Sequence, residues 1–313
     1  MGELVVIVGP TAVGKSDAAI HVAQKMGGEI VSADSVQVFR GLDIGTAKPS
    51  LAEQMSVPHH MIDVAEPNQD YTVADFQRDA RAVIADIHKR KRLPILVGGS
   101  GLYVRSVVQN YSFTASGQNN DIRRSLSESA KQYGLLCLYQ KLQEVDPLTA
   151  TKVHPRDQRR IIRALEVYEQ NRRPLSEQIE KTRSSASRYR LFMYGLTMPR
   201  QLLYQKIEER TDKMIAAGLV DEVKRLLAEG CSPSDKALTS IGYRHIVSFL
   251  RGESTFEQAV QLLKRDTRRF AKRQLTWFAR DSEITWFDVS AAGGAGAAAE
   301  NICNLLAGYY QLK

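Results

Sequence analysis

Eight residues near the amino terminus, Gly9-Pro10-Thr11-Ala12-Val13-Gly14-Lys15-Ser16, have the spacing GxxxxGK[ST] between an apolar run and a helical pattern. Glycines at the first and sixth places let successive backbone N–H groups turn inward, and the helix that follows adds its positive dipole end. An anion held by Gly9, Thr11, Ala12, Val13 and Gly14 would then meet the mobile charge of Lys15, while the Ser16 hydroxyl can hold Mg²⁺. The pattern specifies a phosphate but not which one, since a nucleoside triphosphate and a diphosphate ester look alike to it. Ligands in open α/β sheets bind beyond the carboxyl ends of the strands, so two further strand ends matter. Asp34 directly follows a second short apolar run; its carboxylate can bind Mg²⁺, act as a general base, or cap a turn through Ser35. Gly98-Gly99-Ser100-Gly101 follows a third run and offers either a second phosphate contact or a tight turn.

Two basic stretches stand apart from these loops. Arg156, Arg159, Arg160 and Arg163 share one helix face at i, i+3, i+4 and i+7, which predicts a solvent-exposed arginine face. Lys264, Arg268 and Lys272 form one row and Arg265, Arg269 and Arg273 a neighbouring one. Between Lys264 and Arg280 there are seven basic residues and one acidic residue. Each stretch alone reads equally as a solvated face. Together, in a chain of formal net charge +8, they favour a nucleic-acid partner. Phe270, Trp277 and Phe278 interleave with the second stretch and can stack on bases or pack a core.

The elements that must position these residues follow from apolar periodicity. Leu4–Val8, Glu29–Ser32 and Pro94–Val97 read as buried strands, with helices over Lys15–Met26, Val73–Lys91 and from Gly101 to about Gln109. Alternation of this kind predicts an α/β fold: a P-loop NTPase-like core with a mainly parallel sheet flanked by helices. From Asp121 to Thr182 only helical periods occur, which predicts an all-helical insertion. Arg190–Leu196 then returns to the sheet, and long helices follow at Pro199–Ala217, Leu219–Glu229 and Thr255–Arg280. Thr285–Asp288 reads as a last strand before a carboxy-terminal helix. The expected division is therefore core 1–113, insertion 114–188 and core 189–313, with Thr114–Asn120 as linker.

Composition bounds the rest. At 313 residues, 43% hydrophobic and 25% charged, the chain is of ordinary globular type. Cys137, Cys231 and Cys303 form no CxxC pair, so neither a disulfide framework nor a zinc site is expected. The first strand lacks the basic start and cleavage site of a secretory signal, and no apolar run approaches the ~20 residues of a membrane span. A cytoplasmic protein is expected, and a monomer, since no exposed apolar seam stands out.

The longer blocks resemble those of tRNA dimethylallyltransferases of bacterial type. GPTAVGKS, SADSVQVFRGLDIGTAKP (Ser32–Pro49), HHMIDV (His59–Val64) and LVGGSGLY (Leu96–Tyr103) occur in that family's order and spacing. So do VDPLTATKVHPRDQRRIIRALEVYE (Val145–Glu169), IGYRHIVSFLRGE (Ile241–Glu253) and RRFAKRQLTWFARD (Arg268–Asp281). The resemblance covers nearly the whole chain. It implies transfer of a dimethylallyl group from dimethylallyl diphosphate to N6 of the adenosine 3′-adjacent to the anticodon of a tRNA, with Mg²⁺ near Ser16. It also implies a P-loop core with a helical insertion, and a channel where donor and base meet from opposite ends. Position by position, Asp34 matches the general base, Ser100 a threonine contacting the diphosphate, and Lys15 and Arg210 the cations that stabilise the departing diphosphate. Asp34, Ser35, Val36 and Gln37, then Arg123, Gln158, Arg159, Arg160 and Arg163, and finally Lys272, Arg273, Gln274 and Arg280 match positions that touch the tRNA anticodon stem-loop. Val36 and Phe39 stand where the family usually has Met and Tyr, from which altered packing near the base pocket is expected.

The residues alone leave rivals. A P-loop kinase or ATPase explains the loop and Asp34 but leaves the arginine-rich helices idle. An RNA-binding module regulated by nucleotide explains charge and loop but needs no base. An enzyme prenylating free adenine nucleotides would not need the basic helix.

Overall fold

A computed structural model describes residues 2–109, 119–183 and 187–311. Residues up to Val108 and from Tyr189 onward form one compact unit, and Gln109–Arg188 a second. The expected boundary at 113/114 and most of the expected linker lie outside the described residues.

The first unit runs β1 (Gly2–Val8), α1 (Lys15–Met26), β2 (Gly28–Ser32), α2 (Leu51–Ser56), β3 (His59–His60), α3 (Val73–Lys89), β4 (Leu93–Gly98) and α4 (Gly101–Val108). The second contains α5 (Asn120–Tyr133), α6 (Leu135–Val145), α7 (Pro147–Ala150), α8 (Gln158–Asn171) and α9 (Leu175–Arg183), with no strand among its described residues. The first unit resumes with β5 (Tyr189–Thr197), α10 (Arg200–Ala216), α11 (Leu219–Ala228), α12 (Tyr243–Leu250), α13 (Phe256–Phe278), β6 (Thr285–Asp288) and α14 (Ala295–Gln311).

The sheet order is β3-β2-β4-β1-β5-β6, and each neighbouring pair is parallel. Strand β1 lies inside it, and its side chains divide between two cores by the period of two. Leu4, Val6 and Val8 join the core that includes residues of α3, α4, α11 and α12, while Val5 and Ile7 join the one that includes residues of α1, α10 and α14. A parallel sheet covered on both faces accounts for the continuous apolar runs of β1 and β4. Because the strands run the same way, the ends of β1, β2 and β4 bring Gly9–Ser16, Asp34 and Gly98–Gly101 to one rim. Phe39 is buried in the core at 1% exposure, and Val36 packs against that core. Phe39 lines neither cavity described below.

Candidate active site

The phosphate loop leaves β1 through Gly9 (φ 147°) and enters α1 through Gly14 (φ 93°), both in conformations that favour glycine. Gly9 is also required by space, because a Cβ there would lie 2.5 Å from the Leu196 carbonyl. Lys15 Nζ curls back to donate to the Pro10 carbonyl at 2.7 Å. Burial of this ammonium, with the Arg210 guanidinium beside it, lowers its pKa to about 7 against the opposing pull of Asp34. Arg210, on α10, is also shifted downward, by burial first, with Asp34 and Asp17 opposing. At both side chains burial thus disfavours the charged form by more than the nearby carboxylates offset.

Two cavities meet at these cations. A wide cleft of about 950 Å³ is lined by Ala12–Asp17, by Lys206, Arg210 and Lys213 of α10, and by the turn before α14. A narrow cavity of about 90 Å³ is lined by Thr11, Ser32, Asp34, Gln37, His59, Phe270 and Gln274. Lys15, Ser16, Ala47, Pro49 and Arg210 border both.

Asp34 takes one of its expected places, the turn cap. Its Oδ1 accepts the Val36 amide at 2.8 Å and the Gln37 amide at 3.3 Å, so it does cap the turn. One oxygen is fixed by the backbone and the other, Oδ2, lies without a hydrogen-bond partner among the described residues. Ser100 lines neither cavity; its Oγ accepts the Ser35 amide at 3.0 Å and reaches Ser35 Oγ at 3.2 Å. In this arrangement Ser100 supports the Asp34 turn instead of facing the cleft.

Gln274, expected among the tRNA contacts, is 5% exposed. Its Oε1 accepts the Thr11 amide at 2.8 Å, and its Nε2 donates to the Gly99 carbonyl at 3.0 Å. It is a strut between the phosphate loop and the β4 loop, and it occupies the Thr11 N–H that the sequence assigned to phosphate. Gln274→Leu keeps the bulk but leaves two backbone groups without partners, at about 1–3 kcal/mol each. A melting temperature lowered by several degrees, read by calorimetry, is the expected result; an unchanged one would refute the strut.

The basic helix α13 splits in two. Lys264 pairs with Asp212 and Arg268 with Glu208 on α10, both at 2.6 Å, while Arg265 and Arg269 face Asp266. Lys264 and Arg268 are therefore matched within the fold, while Arg265 and Arg269 share one carboxylate with Arg244. Lys272, Arg273 and Arg280 are exposed and have no ion pair among the described residues. Phe278 is core, Trp277 packs on Gly101 and under Arg105, and Phe270 lines the narrow cavity. In the second unit, Arg123 and Arg163 both bind Oε2 of the fully buried Glu166, at 2.9 and 2.8 Å. Gln158, Arg159 and Arg160 stay exposed on α8. The arginine face is therefore divided too, because Glu166, three residues beyond Arg163, recruits that arginine.

A family model described as IPP transferase matches residues 37–281. The chain belongs to the IPP transferase family. A tRNA dimethylallyltransferase of Carboxydothermus hydrogenoformans is 54% identical over 286 residues, covering 91% of this chain and 92% of that relative. Its counterpart in Desulforudis audaxviator is 52% identical, covering 96% of each. Among solved structures, the full-length tRNA isopentenylpyrophosphate transferase of Bacillus halodurans superimposes with a TM-score of 0.72 at 42% identity, over 98% of this chain and 96% of that one. A eukaryotic dimethylallyltransferase acting on tRNA gives 0.78 at 28% identity, over 92% and 74%. Membership of the IPP transferase family favours the transferase over the kinase or ATPase.

Residue-by-residue reading missed Glu222 of α11 and Tyr243 of α12. Glu222 accepts the amides of Asp43, Ile44 and Gly45, together with the Tyr243 hydroxyl. A signal for it existed: Glu222 falls on the Leu219, Val223, Leu226 face, where a carboxylate has no apolar reason to be.

Proposed function

We propose that this chain transfers the dimethylallyl group of dimethylallyl diphosphate to N6 of the adenosine 3′-adjacent to the anticodon in tRNA, releasing diphosphate. The observation that carries the reading is the pair Lys15 and Arg210 bordering both cavities, with Asp34 in the narrow one. A diphosphate against the loop in the wide cleft places its negative charge on these two half-buried basic side chains. These cations meet the charge that builds on the bridging oxygen as the allyl C–O bond breaks, a stabilisation fixed in place before the reaction starts. Asp34 Oδ2 takes the proton of the attacking amine as the C–N bond forms, which makes a poor nucleophile effective. The base reaches this position flipped from its stack, at a cost of a few kcal/mol.

The reading includes Mg²⁺. The Ser16 hydroxyl is exposed at the start of α1 and makes no hydrogen bond among the described residues. No group of three or more acidic, His or Cys side chains suited to a metal occurs among them. Ser16 would be the protein group that holds the ion, which would keep much of its water. When bound it would neutralise the leaving group. The reading also includes a monomeric enzyme, a point for sedimentation.

Contacts to tRNA phosphates fall to the cations the fold leaves unpaired. Arg273→Ala should reduce the slope of log Kd against log salt for tRNA by about 0.7–1. Arg268→Ala should leave that slope nearly unchanged, because its charge is already met by Glu208. Equal slopes for the two variants would overturn this division. The test of the activity is transfer of label from dimethylallyl diphosphate to unmodified tRNA with Mg²⁺ and no ATP. Label in tRNA is expected; no label, with phosphate released from ATP in parallel, would restore the kinase or ATPase.

A further inference from the structure

We propose that Glu222 and Tyr243 act as a latch that positions Arg210 for the reaction, through the segment from Gly41 to Ala47. The inference rests on the transferase reading above, and concerns how its cation is aimed.

The segment lies between β2 and α2, and its two sides face different partners. On the inner side, three consecutive amides converge on one carboxylate: Asp43 at 3.1 Å and Ile44 at 2.8 Å to Glu222 Oε2, and Gly45 at 3.2 Å to Oε1. The Tyr243 hydroxyl donates to Oε1 at 2.6 Å. Glu222 is 7% exposed and has no ion pair among the described residues, so its charge is held by backbone and hydroxyl dipoles alone. Burial and the neighbouring carboxylate push the Tyr243 hydroxyl far above its ordinary pKa, which keeps it a donor at any working pH. The Tyr243 ring lies against Gly45, where a Cβ would come within 2.6 Å of it. Arg225, one turn along α11, donates to the Gly41 carbonyl at 2.9 Å.

On the outer side, the Thr46 carbonyl accepts Arg210 Nη2 at 3.2 Å. Gln37 Nε2 donates to the Thr46 and Ala47 carbonyls, each at 3.3 Å. Gln37, Thr46, Ala47 and Arg210 all line the narrow cavity. The acceptor that orients the guanidinium therefore belongs to a segment without helix or strand of its own, and that segment is fixed from behind by the buried carboxylate. A glutamine at 222 cannot substitute, because it replaces one acceptor oxygen with N–H groups facing N–H groups. Glu222 touches neither cavity, which makes it a positioning residue.

The experiment is a double-mutant cycle on transfer of dimethylallyl to tRNA, with Glu222→Gln and Arg210→Ala singly and together, and Tyr243→Phe as the milder variant. Acting through Arg210, Glu222→Gln should lower kcat about 10-fold or more in the wild-type background but less than about 2-fold in the Arg210→Ala background. Tyr243→Phe should show the same pattern at smaller amplitude, with KM for tRNA unchanged in both. Equal losses in the two backgrounds, or a loss carried wholly by KM for tRNA, would overturn the latch and leave Glu222 a structural residue. If Glu222→Gln does not fold, the Tyr243→Phe cycle decides alone. Wild-type protein that transfers no label at all would instead strike the underlying transferase reading.

Discussion

Asp34→Asn should reduce turnover by about 10²- to 10⁴-fold, the range a positioned general base contributes, while tRNA affinity stays within a few-fold. Asparagine is the informative replacement because the two carboxylate oxygens have different surroundings. Oδ1 accepts the amides of Val36 and Gln37, and the asparagine carbonyl can do the same. The amide nitrogen then occupies the place of Oδ2, which can no longer take a proton. Asp34→Ala removes both oxygens, so it should match the asparagine variant in turnover and fall below it in melting temperature. Single-turnover transfer, filter binding and calorimetry on the same preparations separate these effects. Asparagine-variant turnover within 10-fold of wild type would remove Asp34 from proton transfer and leave it as a turn cap. Parallel loss of tRNA binding would make it a recognition residue.

The parts of this site that were legible in the sequence are those whose cause is local. The phosphate loop could be read because its glycines, lysine and serine sit at fixed offsets on one strand–helix junction, and α1 covers Lys15–Met26 as its periodicity predicts. β6 likewise covers Thr285–Asp288. What escaped is set by partners distant in the chain. Arg268 and Glu208 neutralise each other across 60 positions, so a row of basic residues overstated the free charge of α13. Gln274 is polar on a basic helix, and nothing nearby in sequence shows that it is buried against Thr11, 263 positions away. The two-residue strand His59–His60 is too short to carry a period, and α12 is an eight-residue helix that apolar spacing passed over. Asp34 illustrates the boundary: its residue type permitted a base or a cap, and the geometry shows one oxygen capping and one unpaired.

Lys15→Met should lower kcat/KM for dimethylallyl diphosphate by about 10²- to 10³-fold, as loss of one preorganised donor to a developing oxyanion does. It should also abolish a proton uptake that the wild-type protein shows on binding diphosphate. Burial and Arg210 hold the free protein's Lys15 near pKa 7, so well above that pH the amine is mostly neutral. A diphosphate at the loop favours the charged form and raises that pKa. Binding at pH 8 must therefore bring a proton to Lys15, whereas at pH 6 the proton is already there. The same depressed value has a sign for folding. The unfolded chain holds this proton up to the ordinary lysine value of 10.5, so stability contributed by Lys15 rises with pH from about 7 towards 10.5 and the cost of its buried charge is complete below 7. Isothermal titration with diphosphate in two buffers of different ionisation enthalpy reads the uptake directly. Uptake at pH 8 that shrinks at pH 6 and vanishes in Lys15→Met is the expected pattern. If the uptake persists in Lys15→Met, the proton goes elsewhere, and the diphosphate would be held by a lysine that was charged throughout.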